Sequence, residues 1–126
     1  MGPVRTPVFK KLELSFAEEY GARVVVVSIP EGSYVNMHAY RNIQRVGYSM
    51  PENLLASDAP DRAIEMACDQ AGVPFFQATQ AFKDHRDDPG LFYELDGHLT
   101  AEGHALYADT IAPLLAGEVA ADPPKK

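Results

Sequence analysis

The chain has 126 residues, of which 46% are apolar and 23% charged, so it is long enough for one domain with a modest core. Its 11 Lys and Arg against 18 Asp and Glu give a net charge of −7. That charge repels nucleic acid and anionic membrane surfaces, so we expect no nucleic-acid partner. A single cysteine excludes an internal disulfide and a Cys-rich zinc site. Apolar runs such as residues 24–27 are too short for a membrane span.

The N-terminal part of the chain predicts one helix followed by one strand. Apolar side chains recur at helical spacing over residues 8–20, and Gly21 is placed to end that helix. Residues 24–29 form a β-branched run without polar alternation, which predicts a parallel strand covered on both faces. Pro30 ends the strand, and residues 31–36 follow as a loop.

The middle of the chain predicts two more helices. Residues 37–46 fit a short helix and residues 47–55 a loop. A clearer helix begins after Ser57 or Asp58, either of which suits an N-cap, and it ends at Gly72. The predicted buried stripe of this helix comprises Ile64, Ala67, Cys68 and Ala71.

The remaining segment predicts a second strand, a loop and a last helix. Residues 73–76 fit a strand at a sheet edge, because Pro74 cannot donate to a ladder. Residues 83–90 are polar and predict a solvated loop. Thr100 suits the N-cap of the last helix, and residues 117–126 predict a flexible tail. The predicted packed face of this helix comprises His104, Tyr107, Ala108, Ile111 and Leu115.

Strands that alternate with helices predict an α/β fold with a parallel sheet. Two strands alone do not make a self-sufficient parallel sheet. We therefore expect residues 1–116 to be the C-terminal portion of one α/β domain, followed by the tail of residues 117–126.

The chemically informative pair is Asp96 and His98. Residues two apart in an extended segment point the same way, so the carboxylate can reach the imidazole and fix its tautomer. This is the orienting acid and the base of a serine hydrolase triad. We predict a hydrogen bond of about 2.6–3.2 Å between the Asp96 carboxylate and one ring nitrogen of His98.

The segment Asp96-Gly97-His98, followed by Gly103-His104 in the last helix, resembles the terminal motif of the SGNH (GDSL-like) hydrolases. The resemblance spans about residues 8–116, and only the terminal motif is specific. It implies a flavodoxin-like three-layer α/β/α fold, with Asp96 and His98 as catalytic residues. It also implies an O-acyl ester substrate, on a sugar, a polysaccharide or a lipid, and no cofactor or metal.

The sequence lacks the other parts that the resemblance calls for. The family's nucleophilic Ser lies in a Gly-Asp-Ser motif, and its oxyanion donors are a Gly and an Asn in a Gly-x-Asn-Asp-like block; neither motif occurs here. We therefore expect this polypeptide alone to be catalytically inactive. Its expected partner is the N-terminal half of the domain, or a second copy that pairs with the strand at residues 24–29.

Other readings of the same residues stay open. Ser28 in the strand is expected to be buried, and Ser33 lies in a loop that is not a nucleophile elbow. Asn36 and His38 are placed to line a pocket near the end of the strand, although they fit turn and surface residues better, and His104 fits a packed structural role. A metal site is disfavoured by the ligand spacing. The alternative to the enzyme is a non-catalytic α/β binding or assembly module.

Overall fold

The computed structural model describes Ala17 and residues 19–121 of the chain. The chain divides into two compact units. The first combines the segment that ends at Ser28 with Asp58–Phe76, and the second combines Ile29–Ser57 with the segment that begins at Gln77. The regular elements are β1 (Val26–Val27), α1 (Met37–Arg45), α2 (Ala59–Ala71), β2 (Phe75–Phe76), α3 (Thr79–Asp84) and α4 (Ala101–Ala121).

The sheet of the first unit has two parallel strands. Val26 lies opposite Phe75 and Val27 opposite Phe76. The ladder is extended at its ends by a bond from the Val26 N–H to the Pro74 carbonyl at 2.9 Å, and by one from the Ser28 N–H to the Phe76 carbonyl at 3.1 Å. The described residues therefore form a mixed helix and strand arrangement that is compatible with the α/β class.

The strand predicted at residues 24–29 is shorter and less covered than expected. The ladder with β2 is only two residues long, so β1 is limited to Val26 and Val27. Val27 and Ile29 are 38% and 67% exposed. The expectation that both faces are covered is wrong for the residues described, because Val27 and Ile29 are open to solvent.

The helix α2 begins and ends where its capping residues predict. Asp58 is the N-cap residue, but its side chain makes no cap hydrogen bond and instead pairs with Arg62 at 3.0 Å. Gly72 ends the helix in the left-handed conformation, with φ +71°. Cys68 and Ala71 are buried as predicted, whereas Ala67 is exposed. Its expected place in the buried stripe is therefore wrong.

The predicted helix of residues 8–20 lies largely outside the described residues. Ala17 and Glu19 are helical. The Ala22 N–H donates to the Ala17 carbonyl at 2.8 Å, and Gly21 has φ +65°. These two features are typical of a helix that ends at a left-handed glycine, as predicted for Gly21.

In the second unit, one predicted element is confirmed and another is corrected. The short helix predicted over residues 37–46 is confirmed as α1, and the loop after it contains a 3-10 turn at Leu54–Ala56. The polar segment of residues 83–90 is not all loop, because α3 continues through Asp84. Lys83 Nζ donates to the Ser57 carbonyl at 2.8 Å. This bond connects the C-terminal end of α3 to the segment that precedes α2.

The core of the second unit is built around aromatic side chains. Phe82 of α3 is fully buried, and its ring centroid lies 5.8 Å from that of Phe92 in a tilted arrangement. Leu91 and the Ile111 side chain of α4 are also buried. This core supports the segment of residues 91–99 on one side.

The helix α4 runs past residue 116, so the segment predicted as a tail begins inside it. Residues 117–121 are helical, and residues 122–126 lie outside the described part of the chain. Good helix formers such as Glu118 and Ala120 favour this continuation. Among the described residues, no helix combines the length and the apolar character needed to cross a bilayer.

Candidate functional site

Asp96 and His98 lie in a short hairpin, whose turn at residues 93–98 is called the site loop. Phe92 and Leu99 form an antiparallel bridge at its base. The Tyr93 N–H donates to the His98 carbonyl at 2.9 Å, and the Gly97 N–H donates back to the Tyr93 carbonyl at 3.3 Å. These two backbone hydrogen bonds join the beginning of the site loop to its end.

The hairpin is attached to the start of α4 by Thr100 and Gly103. The Thr100 hydroxyl donates to the Gly90 carbonyl and accepts the Gly103 N–H at 3.1 Å, so Thr100 caps the helix as predicted. The Thr100 N–H donates to the Leu91 carbonyl at 3.0 Å. A Cβ added at Gly103 would overlap the Leu91 carbonyl oxygen. Gly103 therefore permits close packing of α4 on the hairpin, and that packing holds the base of the site loop.

The Asp96 carboxylate is closer to the backbone of His98 than to its imidazole ring. Its Oδ1 accepts the His98 N–H at 2.9 Å and lies 3.5 Å from His98 Nδ1. Gly97 between them has φ +73°, which other residues adopt only with strain. The distance from Asp96 Oδ1 to His98 Nδ1 is longer than the predicted 2.6–3.2 Å, so the prediction of a hydrogen bond between these side chains is wrong. The spacing thus brings the two side chains together, with the backbone N–H as the nearer donor.

Both side chains of this pair are solvated. The side chain of His98 is 83% exposed and that of Asp96 is 61% exposed. Water screens an ion pair at this exposure, so its contribution to stability is small. The open face of the imidazole is consequently free to meet another molecule or segment.

The hydroxyl groups of the two serines considered as nucleophiles both donate to carboxylates. Ser33 is buried, and its hydroxyl and its N–H both donate to the Glu31 carboxylate. Ser28 is buried as expected, and its hydroxyl donates at 3.2 Å to Asp61, a buried carboxylate that the sequence analysis missed. A serine whose hydroxyl donates to a carboxylate still needs a base and oxyanion donors to act as a nucleophile in acyl transfer.

Asn36 is a buried structural residue, so its expected role as a surface residue is wrong. Only 1% of it is exposed. Its Oδ1 caps α1 by accepting the N–H groups of His38 and Ala39, at 2.9 and 3.1 Å. Its Nδ2 donates to the carbonyls of His85 and Asp88, at 3.3 and 2.8 Å. The cap signal was readable in the sequence, since Asn immediately precedes the predicted helix.

His104 is exposed on α4, which corrects its expected structural role. The predicted packed face is confirmed at Ile111 and wrong at Ala108, which is exposed, and Gly103 is also buried. Tyr107 lies half-buried, and its hydroxyl oxygen is buried without a hydrogen-bond partner among the described residues. Burial raises the pKa of Tyr107. Within the described residues, no three His, Cys, Asp or Glu side chains are placed to hold a metal ion.

No family model, no curated protein and no solved structure matches this chain. The chemistry of the site therefore depends on the residues themselves. An imidazole held beside a carboxylate and open on its other side can accept a proton from a hydroxyl and return it to a leaving group. It can equally serve as a polar contact in a binding surface.

Proposed function

We propose that this chain is the C-terminal part of an SGNH-type serine ester hydrolase or O-acyltransferase and that it supplies the acid and the base of the triad. The supporting observation is the site loop, in which Asp96 Oδ1 lies 3.5 Å from His98 Nδ1. A carboxylate at Nδ1 favours the tautomer with its proton on that nitrogen, which leaves Nε2 as the base. The flavodoxin-like three-layer fold is part of the same proposal.

In the proposed reaction, His98 Nε2 takes the proton of a serine hydroxyl. The serine oxygen forms a bond to the acyl carbonyl carbon, and the tetrahedral intermediate then expels the alcohol, which takes the proton from His98. Water attacks the resulting acyl-serine in a hydrolase, and a second alcohol attacks it in a transferase, in each case with His98 as the base that takes the proton. The bond between the serine oxygen and the acyl carbon then breaks, and the serine oxygen takes the proton back from His98. Asp96 orients His98 and stabilises the imidazolium.

The proposal implies a partner segment that contributes the serine and the oxyanion donors. That segment is the N-terminal half of the domain, or it comes from a second copy of the chain. Light scattering at micromolar concentration tests self-association, and a monodisperse monomer excludes the second copy as the partner. The coding sequence upstream of Met1 tests the first case, because a strand followed by Gly-Asp-Ser is the expected finding.

The tautomer of His98 tests the role of Asp96 in the chain as it is. In nitrogen-detected NMR, neutral His98 should have its proton mainly on Nδ1, and Asp96→Asn should shift the proton toward Nε2. The exposed His104 is the internal control and should not change. A His98 tautomer that does not respond to Asp96→Asn would contradict the proposed triad role.

The second test is hydrolysis of p-nitrophenyl acetate. The chain alone should show no turnover above its His98→Ala variant. A polypeptide that also contains the Gly-Asp-Ser segment should be active, and Asp96→Asn should lower its kcat by about 10³–10⁴-fold. Turnover by the chain alone that a serine-directed reagent abolishes would mean that it contains its own nucleophile, with Ser33 as the first candidate.

A non-catalytic binding or assembly module is the second candidate function. The observation that favours it is the exposure of the pair, with 83% of the His98 side chain open to solvent. In such a module the site loop would be a contact surface, and no upstream Gly-Asp-Ser segment would be found. The NMR experiment separates the two, since a contact surface does not require a fixed tautomer.

A further inference from the structure

Tyr93 is the residue that faces His98 across the hairpin. The bridge between Phe92 and Leu99 is flanked by bonds from the Tyr93 N–H to the His98 carbonyl and from the Thr100 N–H to the Leu91 carbonyl. This pattern makes Tyr93 and His98 the next opposed pair in the register. Side chains of opposed residues lie on the same face of a ladder, with their Cβ atoms about 5 Å apart.

The exposure of the hairpin residues agrees with this register. Phe92 is 6% exposed, whereas Tyr93 next to it is 54% exposed and turns to the solvent side, where His98 also lies. A tyrosine ring offers a flat apolar face with a hydroxyl at its edge. Tyr93 therefore adds an aromatic surface beside the imidazole that the proposed reaction uses.

The charge of the site loop limits what this aromatic surface can bind. Glu94 and Asp96 lie in the same loop, and both are exposed. Two carboxylates disfavour an anionic ligand, and they offer acceptors to the hydroxyl groups of a neutral one. A sugar ring has an apolar C–H face and several hydroxyl donors, whereas an aliphatic ester has no donor for these carboxylates.

Resting on the proposed function, we propose that Tyr93 is a specificity residue and that the substrate is a neutral O-acylated carbohydrate. The sugar ring stacks on Tyr93, and its hydroxyls donate to Glu94. This arrangement brings the ester close to His98, on the side of the imidazole away from Asp96.

Amide NMR titration of the chain with monoacetylated glucose tests the proposal without requiring activity. The sugar ester should shift the amide signals of Tyr93, His98 and Leu99 in a saturable way. Tyr93→Leu should weaken binding about fivefold, because it removes the aromatic face. Tyr93→Phe keeps that face and should bind nearly as well as the wild type. Ethyl acetate, which has the ester without the ring, should bind more weakly.

Tyr48→Leu is the matched control, since Tyr48 is 67% exposed in the same unit and lies outside the site loop. It should leave the binding unchanged. Three results would overturn the proposal: no saturable shift with the sugar ester, equal binding by Tyr93→Leu, or equal binding of ethyl acetate. None of these results affects the measurement of the His98 tautomer, which is made without ligand. The proposed triad role is therefore tested independently.

Discussion

The segments Asn36-Met37-His38 and Asp96-Gly97-His98 have the same Asx-x-His spacing and the same local bond. In each, the side-chain Oδ1 of the first residue accepts the N–H of the histidine at 2.9 Å. Asn36 is only 1% exposed and makes four hydrogen bonds, whereas the Asp96 side chain is 61% exposed. The first segment joins a helix to a distant loop, and the second presents its histidine to solvent.

The difference shows that burial decides how much the same local motif contributes to stability. A buried polar group that loses a partner leaves unsatisfied groups away from water, which is costly. An exposed group loses little, because water replaces the partner.

Replacing Asn36 should have the largest effect on stability. Asn36→Ala removes the cap of α1 and takes one donor from each of the carbonyls of His85 and Asp88, so the free energy of unfolding should fall by about 3 kcal/mol. Urea denaturation measures the change. Asn53→Ala is the control, because Asn53 is exposed and its side chain makes no cap bond, and it should change stability by less than about 0.5 kcal/mol. An equal loss of unfolding free energy in Asn36→Ala and Asn53→Ala would contradict the special importance of the buried Asn36.

Gly103→Ala should be the next largest. The added methyl group would overlap the Leu91 carbonyl, so α4 or the hairpin must move, at a cost of about 2 kcal/mol. Gly117→Ala in the same helix meets no atom within 4 Å and should stabilise the protein by about 0.5–1 kcal/mol. Thermal unfolding of the two variants should therefore shift in opposite directions. A stabilising Gly103→Ala would mean that the close approach to Leu91 is absent.

The buried thiol of Cys68 predicts a smaller, pH-dependent effect. Burial, followed by the nearby Asp69 carboxylate, raises the pKa of Cys68. The folded state therefore holds the thiol proton more tightly than the unfolded state does. Stability should be unaffected below the ordinary thiol pKa of about 8.5 and should decrease as the pH rises from there toward the raised pKa.

Denaturation of wild type and Cys68→Ala between neutral and alkaline pH measures this effect, and the alkaline loss should be smaller in the variant. Iodoacetamide gives an independent check, since Cys68 should react much more slowly in the native chain than in urea. Rapid alkylation of the native protein would show that this thiol is accessible.

The smallest effect on stability is expected at the site loop. Asp96→Asn and His98→Ala should each change the free energy of unfolding by less than about 0.5 kcal/mol, because both side chains are well exposed. Urea denaturation of these variants beside Asn36→Ala makes the comparison direct. A loss of more than about 2 kcal/mol in either variant would mean that the pair is structural, as Asn36 is.

Several features of this protein were determined by sequence alone because they depend on neighbours along the chain. Glycine tolerates the left-handed conformation, so the ends of helices at Gly21 and Gly72 were predictable. The extent of α1 and the cap at Thr100 followed from similar short-range signals. The proximity of Asp96 and His98 also needs only their two-residue spacing.

Which helix residues are buried was decided only by the tertiary structure. His104 and Ala67 occupy positions that helical periodicity assigned to packed faces, yet both are exposed, while Asn36 is buried. Periodicity gives the angle between side chains around a helix axis, but it does not specify which segment, distant in sequence, packs against the helix. Asn36 is buried because its partners are the carbonyls of His85 and Asp88, about fifty residues away, and no local pattern encodes that contact.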